Sequence, residues 1–238
     1  MNKNRIRGKL KGYFFIAKLH NFYPFRIIRF FSQMGELSKW ISDHRNISYS
    51  DFYSSKFDYS KRYSLYQFLT ENEIKNMAID YLEFGVSTGL SFRWWTDNIK
   101  NSDSRFFGFD TFTGLPEDWG SFKKGDMANN NKIPEINDSR CSFYQGLFQQ
   151  TLPKFLQTYS SDRTKIIHMD ADLYTSTLFV LTSLSHILRK GDIILFDEFN
   201  VPMHEFKAFS EWSKAFYIKY KVLAAVNNYY QVAIKLEG

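Results

Sequence analysis

The chain contains four short apolar runs that each end at an acidic residue. They are Tyr81–Glu83, Phe106–Asp110, Ile166–Asp170 and Ile193–Asp197, and Glu198 directly follows the last of them. Runs of this length are typical of strands that are buried in a parallel sheet. Open α/β sheets bind ligands beyond the carboxyl ends of such strands, so the pattern predicts a site formed by these acids.

Helical periodicity alternates with these runs along most of the chain. The clearest helix carries Leu178, Leu181 and Leu184, and Gly191 is suited to the turn after it. Seven strands are predicted, at 79–85, 105–110, 141–146, 165–170, 192–197, 220–226 and 229–234, with Asn227-Asn228 as a tight turn between the last two. We therefore expect an α/β fold with a Rossmann-like, doubly wound, mostly parallel seven-stranded sheet that ends in an antiparallel hairpin.

The pattern also divides the chain into two parts. Residues 1–50 form a basic, aromatic, helical extension, and residues 51–238 form the α/β domain. Between the second and third strands, residues 113–138 are rich in glycine, asparagine and proline and show no clear periodicity. Because a loop of this length in a compact domain is typically functional or disordered, we interpret it as a lid.

The net charge of +6 is concentrated in the extension. Of the 31 basic residues, eight lie in residues 1–30, which contain no acid, so 23 bases accompany 25 acids in the rest of the chain. A domain that grips nucleic acid carries basic residues across its binding surface. Nucleic-acid binding by the α/β domain is therefore not expected.

The extension alternates its bases with large apolar residues, among them Phe14, Phe22, Phe25 and Phe31. This composition is typical of an interfacial amphipathic helix on anionic lipid, and residues 1–35 are the candidate segment. The alternative is a helical extension that packs on its own domain or on a second subunit of a homo-oligomer. The sequence leaves both alternatives open.

Cysteine content and hydropathy indicate the compartment. Cys141 is the single cysteine, so no intramolecular disulfide can form. The sequence has no apolar run of about 18 residues or more, and its basic start lacks the pattern of a secretory signal. We therefore expect a cytoplasmic protein, with the inner face of the membrane as the surface that the extension would contact.

The first predicted strand runs into the segment Glu83-Phe84-Gly85-Val86-Ser87-Thr88-Gly89. Glycines allow a sharp turn and a close approach of ligand to backbone, and the helix that follows offers free N–H groups. No Gly-Lys-Ser/Thr follows, which excludes a phosphate-binding P-loop. The third glycine of the dinucleotide pattern G-x-G-x-x-G is also missing.

Asp110 closes the second predicted strand 25 residues after Gly85. An acid at this position can accept hydrogen bonds from both hydroxyls of a ribose. The glycine loop and Asp110 together indicate a nucleoside ligand without a pyrophosphate. S-adenosylmethionine fits this description.

These motifs resemble those of class I S-adenosylmethionine-dependent methyltransferases, and more narrowly those of the macrocin O-methyltransferase family. The resemblance covers residues 61–235. Five segments carry it in order: Glu83-Phe84-Gly85-Val86-x-x-Gly89, Gly108–Pro116, Gly146–Pro153, His168–Thr177 and Phe196-Asp197-Glu198-Phe199. The family often has aspartate at the position of Glu198.

The resemblance implies a set of contacts to bound S-adenosylmethionine on the glycine loop, at the second strand and in two later segments. The candidate residues are Glu83, Gly85, Val86, Ser87, Thr88, Gly89, Asp110, Thr111, Phe112, Gly146, Leu147, Met169 and Asp170.

The resemblance also implies a divalent metal, and the residues favour one independently. Asp170 and Asp197 close neighbouring strands, so their carboxylates can converge with that of Glu198 on one cation. Three oxygen ligands without a thiolate favour Mg²⁺. Asp172 and His204 are both candidates for the general base, and Asp172 is equally suited to cap the next helix.

The sequence thus predicts a metal-dependent O-methyltransferase whose acceptor is a hydroxyl of a sugar or glycoconjugate. Two alternatives remain open. One is a nicotinamide-dependent oxidoreductase of similar fold, against which the missing third glycine argues. The other is an inactive methyltransferase-like protein that binds membranes through its extension.

Overall fold

The computed structural model describes residues 3–21 and 24–238, and it is built around one eight-stranded sheet. The strands are β1 (Tyr49–Ser50), β2 (Ile79–Phe84), β3 (Arg105–Asp110), β4 (Cys141–Gln145), β5 (Thr164–Met169), β6 (Ile193–Phe196), β7 (Tyr220–Val226) and β8 (Gln231–Leu236). Their order across the sheet is β1-β7-β8-β6-β5-β2-β3-β4. Strand β8 is antiparallel to β6 and β7, and the other neighbouring pairs are parallel. The predicted mostly parallel α/β fold with a terminal hairpin is confirmed.

Seven α-helices accompany the strands in the described part of the chain. They are α1 (Lys3–Ile16), α2 (Pro24–Asp43), α3 (Lys61–Leu69), α4 (Leu90–Asn98), α5 (Phe148–Thr158), α6 (Tyr174–Leu184) and α7 (Glu205–Ala215). A 3-10 turn spans Leu19–Asn21, and a π-helical turn, Thr70–Ile74, follows α3.

The sheet is covered on both faces because successive residues of a strand point to opposite sides. In β2, Leu82 and Phe84 belong to the core that includes α5, α6 and α7. Tyr81 belongs to the other core, with Tyr66 of α3 and Trp95 of α4. Burial on both sides explains why the central strands have almost continuous apolar sequences.

Two features of the sheet differ in detail from the sequence prediction. Tyr49 and Ser50 pair in parallel with Ala224 and Ala225, which adds an eighth strand at the sheet edge. The hairpin turn is longer than two residues because Tyr229 also takes a positive φ, so β8 begins at Gln231. The second helix of the extension packs into the core, which agrees with one of the alternatives that the sequence leaves open.

The second helix of the extension is long but does not have the character of a membrane span. Its C-terminal half contributes Leu37, Trp40 and Ile41 to the domain core. Among the residues that the structure describes, no helix is both long and apolar enough to cross a bilayer.

Candidate active site at the carboxyl edge of the sheet

A cavity of about 730 Å³ lies at the carboxyl ends of β2, β3, β5 and β6. This volume is within the range of about 300–1,000 Å³ that is typical of small-molecule sites. Five carboxylates line it: those of Asp110, Asp170, Asp172 and Glu198, and that of Glu117 from the loop after β3. The parallel strands thus bring acids from separate sequence segments into one site.

The loop between β2 and α4 forms one wall of the cavity, and Gly85 fixes its position. Gly85 has a φ of +101°, and a Cβ built on it would lie 1.7 Å from the carbonyl oxygen of Asp170. Gly89, which precedes α4, has a φ of +78°, and its Cβ would lie 2.9 Å from Pro134. The backbone that follows β5 therefore leaves no room for a side chain at position 85. Pro134, in the loop after β3, restricts position 89 in the same way.

Asp110 joins the loops that follow β2 and β3. Its Oδ2 accepts a hydrogen bond from the Ser87 amide, and its Oδ1 accepts one from the Phe112 amide, each at 2.6 Å. An ionised carboxylate offers about four acceptor positions, so further lone pairs remain for donors from a ligand. Asp110 lines the cavity and is only partly buried, which suits it to hold ligand hydroxyls.

The structure places the sequence-predicted residues in two groups. Those that line the cavity are Gly85, Val86, Ser87, Thr88, Asp110, Thr111, Leu147, Asp170, Asp172 and Glu198. Those outside its lining are Glu83, Gly89, Phe112, Gly146, Met169, Asp197 and His204. Several of the second group support lining residues by direct contact or through the backbone.

Glu83 lies beneath the cavity in a buried hydrogen-bonded network. Tyr81 Oη is 2.8 Å from Glu83 Oε2 and 2.7 Å from His168 Nδ1, and His168 Nε2 is 3.3 Å from Tyr66 Oη. Ser91, in the first turn of α4, donates to Glu83 Oε1. Glu83 thereby binds the first turn of α4, whose residue Ser91 also lines the cavity.

Burial raises the pKa of Glu83 to about 8 and lowers the pKa of His168 to about 3. A neutral Glu83 can donate to Tyr81 Oη, the Tyr81 hydroxyl can donate to His168 Nδ1, and the His168 Nε2–H can donate to Tyr66. One proton on Glu83 therefore satisfies the whole network without a buried charge.

Glu83→Gln is expected to remove a pH dependence of stability. A raised folded-state pKa means that the native protein holds a proton that the unfolded chain releases above its pKa of 4.5. The free energy of unfolding of the natural protein should therefore fall as pH rises from about 4.5 to about 8. Glutamine imitates the protonated acid, so the variant should be more stable than the natural protein at pH 8 and similar at pH 5. Urea unfolding at both pH values measures this.

The matched control for that experiment is Glu135→Gln, the same change at an exposed position. It should leave the pH dependence unchanged. A Glu83→Gln variant that loses stability equally at pH 5 and pH 8 would show that Glu83 is ionised in the native protein.

A cluster of buried acids forms the floor of the cavity. Carboxylate oxygens of Asp170, Asp172 and Glu198 lie within 4.8 Å of one another. Asp170 also forms a second group, in which carboxylate oxygens of Asp170 and Asp197 and a ring nitrogen of His168 lie within the same distance. Burial, reinforced by repulsion from neighbouring carboxylates, raises the pKa of Asp170 and Glu198 well above the usual range. Burial also raises the pKa of Asp197, and it raises that of Asp172 to about 6. Ionisation of these acids is therefore unfavourable unless a positive charge lies close to them.

Arg62 of α3 supplies the positive charge that faces this cluster. Its Nη1 is 3.3 Å from Asp197 Oδ2 and 4.0 Å from Asp170 Oδ2, and Tyr59 donates to the same Asp197 oxygen. Asp197 Oδ1 and Glu198 Oε2 are buried and have no hydrogen-bond partner. Two oxygens within this acidic cluster are thus left for a cation or another donor.

Aromatic side chains form the outer part of the cavity. Phe57 and Tyr59 come from the segment before α3, Tyr230 comes from the hairpin, and Trp119 and Phe122 come from the loop after β3. Phe57 packs on Tyr230 with 5.1 Å between ring centroids, and Trp119 stacks on Phe122 at 5.3 Å.

Sequence reasoning missed several of these residues. Tyr59 and Arg62 are not among the site residues that the sequence predicts. The signal that could have found them is weak, namely an arginine at a helix position that turns inward. His204, a predicted candidate base, lies outside the lining with its ring 6.3 Å from that of Trp119, and burial lowers its pKa.

Comparison with known proteins identifies the enzyme class. The profile of the family described as "Methyltransferase domain" matches residues 82–199. No curated protein matches the sequence.

Three solved structures illustrate the fold. The calicheamicin methyltransferase CalS11 is 21% identical with a TM-score of 0.57, covering 75% of this chain and 78% of its own. The O-methyltransferase NovP is 22% identical with a TM-score of 0.57, covering 75% and 80%. The O-methyltransferase TomG from Streptomyces achromogenes is 13% identical with a TM-score of 0.50, covering 79% and 84%.

The family match covers the glycine loop, Asp110 and the acids that follow β5 and β6, which are the residues that line the cavity. The solved structures share the sheet and the helices around it. Residues 82–199 therefore form a methyltransferase domain, and the sheet and helices around them have the fold of the solved O-methyltransferases.

Proposed function

We propose that this protein is a class I methyltransferase that uses S-adenosylmethionine and a divalent metal to methylate a hydroxyl of a sugar or glycoconjugate, as its resemblance to the macrocin O-methyltransferase family implies. The observation that carries the proposal is the juxtaposition, in one cavity, of the glycine loop and Asp110 with the buried acids Asp170 and Glu198. The first pair suits a nucleoside cofactor, and the second suits a cation and an acceptor hydroxyl.

The proposed cofactor position follows from the two loops that Asp110 joins. The lone pairs of Asp110 that Ser87 and Phe112 leave free accept hydrogen bonds from the ribose hydroxyls. The amino acid end lies on residues 85–89, where the first turn of α4 has no side-chain cap and offers N–H groups to a carboxylate.

The acids fit a hard divalent cation such as Mg²⁺. Asp197 Oδ1 and Glu198 Oε2 lack partners although they are buried, and oxygen donors without a thiolate are the chemistry that Mg²⁺ prefers. Asp170, Asp197 and Glu198 would hold the ion. When bound, it would lower the pKa of an acceptor hydroxyl and orient its oxygen.

Asp172 is proposed as the base that receives the acceptor's proton. It lines the cavity next to Asp170, and its pKa of about 6 leaves it ionised at neutral pH. The acceptor oxygen forms a bond to the methyl carbon as the bond from that carbon to sulfur breaks, and the hydroxyl proton passes to Asp172. The products are a methyl ether and S-adenosylhomocysteine.

The cavity favours a neutral sugar over an anionic one. The rim is aromatic, and the apolar faces of sugars pack on aromatic rings. Arg62 is the one basic side chain among the described lining residues, and Asp197 already engages it. CalS11 is described in one structure as a TDP-rhamnose 3'-O-methyltransferase. A diphosphate would meet mostly carboxylates here, so we propose glycosides in which no phosphate adjoins the accepting sugar.

Two measurements test the proposal. Titration with S-adenosylhomocysteine, followed by tryptophan fluorescence, should saturate, whereas NADH should not. Labelled S-adenosylmethionine with Mg²⁺ should methylate neutral glycosides in preference to nucleotide sugars, and removal of the metal by EDTA should abolish transfer.

Asp110→Asn should weaken S-adenosylhomocysteine binding by about 10- to 100-fold, since the interactions of the carboxylate with ribose and backbone donors are lost.

The control is Asp103→Asn, the same change at an exposed position just before β3, which should leave binding unchanged. Saturation by NADH in place of S-adenosylhomocysteine would overturn the cofactor assignment and support the oxidoreductase alternative. Binding without transfer to any glycoside, with or without metal, would overturn the proposed acceptor class.

A further inference from the structure

The arm, defined as residues 6–34, exposes an unusual amount of apolar surface. Tyr13 is 70% exposed, Ile16 80% and Phe31 65%. Soluble proteins rarely leave several large apolar side chains next to one another in water. The structure describes the arm on either side of residues 22 and 23 but not these two residues. Phe22, one of the apolar residues named from the sequence, therefore lies outside the described residues.

Each helix of the arm carries a row of exposed apolar side chains. In α1, Ile6, Leu10 and Tyr13 follow the spacing i, i+4, i+7, which places them on one face. In α2, the triplet Ile27, Phe31 and Met34 has the same spacing. Phe14 of α1 contacts Phe25 of α2, with 5.6 Å between ring centroids.

The domain anchors the arm without covering it. Further along α2, Leu37 is buried and Trp40 packs in the core, and Glu36 forms an ion pair of 3.7 Å with Lys214. The preceding three turns of α2, by contrast, keep Ile27, Phe31 and other apolar side chains exposed. The helix therefore holds the apolar stretch at the surface of the methyltransferase domain.

The charge of the arm identifies what covers it. Residues 6–34 contain six bases and no acid. A second copy of the arm would bring like charges together, whereas an anionic lipid surface neutralises them and accepts the apolar side chains at the same time. We propose that the arm docks the enzyme on an anionic lipid bilayer, with both helices lying in the interface.

Sedimentation of the full-length protein with lipid vesicles tests this proposal. The protein should bind vesicles of phosphatidylcholine with 30 mol% phosphatidylglycerol, bind pure phosphatidylcholine weakly, and dissociate as salt is raised. A triple variant, Arg7→Gln with Lys9→Gln and Lys11→Gln, should bind the anionic vesicles about 100-fold more weakly. Thermal unfolding should remain unchanged because these side chains are exposed.

Two further variants separate charge from apolar contact. Replacing Lys100, Lys154 and Lys190 by glutamine makes the same charge change at exposed positions of the domain and should leave vesicle binding unchanged. Ile27→Ala with Phe31→Ala should weaken binding to anionic vesicles at every salt concentration. Equal loss from both glutamine variants would overturn the proposal, because it would assign the binding to net charge alone. A dimer in ultracentrifugation that Ile27→Ala/Phe31→Ala dissociates, without vesicle binding by the natural protein, would assign the arm to a second copy instead.

Discussion

Gly85→Ala is expected to destabilise the protein by about 4 kcal/mol and to lower its melting temperature by about 10 °C. The added Cβ would lie 1.7 Å from the carbonyl oxygen of Asp170, a distance that requires the backbone to move. The residue also has a φ of +101°, which side chains other than glycine adopt at a cost. Urea unfolding and thermal unfolding measure the loss.

Gly191→Ala is the matched control for this prediction. Gly191 has a similar φ of +97°, but nothing lies within 4 Å of a Cβ built there. That variant should lose only about 1 kcal/mol from the positive φ. The difference between the two variants therefore isolates the contact between the glycine loop and Asp170. Equal losses would mean that the loop and the backbone after β5 can separate without cost.

The sequence pattern was sufficient for the fold because the central strands are buried on both faces. Ile166–Met169 and Ile193–Phe196 are apolar except for the buried His168, and each run is followed by an acid that marks the carboxyl end of its strand. The glycine loop was predictable for a related reason. A short strand, a glycine and a helix in succession leave few conformations, and Gly85 takes the positive φ that the turn requires.

Glu83 shows where the pattern was less informative. It resembles the other acids in sequence, but β2 continues through Phe84, so Glu83 lies inside the strand. Strand alternation then directs its side chain toward Tyr81 and the core around α3 and α4, away from the cavity. Asp110, the last residue of β3, lines the cavity, whereas an acid that precedes the last residue of its strand can point away from the cavity, as Glu83 does.

Long-range contacts were not predictable from the sequence. Arg62 and Asp197 are separated by 135 positions in the chain, and their ion pair exists because α3 packs beside the carboxyl ends of β5 and β6. Periodicity reports the face of a helix that is buried but not the polar partner that a buried arginine meets. The same holds for Tyr59, whose partner Asp197 lies 138 positions away.

The partial neutralisation of the cluster by Arg62 leads to the second major prediction. Arg62 contacts Asp197 and lies near Asp170, yet the pKa values of Asp170 and Glu198 are still raised by burial, and two carboxylate oxygens remain without partners. A divalent cation would supply the missing charge. Titration with Mn²⁺, followed by electron paramagnetic resonance, should therefore show one site per chain for which Mg²⁺ competes.

Asp170→Asn is expected to weaken Mn²⁺ binding by more than about 100-fold, since replacing an outer-shell partner already costs about 10- to 100-fold. Glu198→Gln should behave similarly, and the exposed control Asp103→Asn should bind Mn²⁺ as the natural protein does.

Asp172→Asn distinguishes a metal ligand from a general base at this position. It should retain Mn²⁺ affinity within about threefold while methyl transfer falls by about 10²- to 10⁴-fold, the range for loss of a general base. If Asp172→Asn loses the metal as fully as Asp170→Asn does, Asp172 is a ligand and the proton must leave by another group. If Asp170→Asn binds Mn²⁺ as well as the natural protein does, the acids do not form a cation site, and Arg62 is the partner around which they are built.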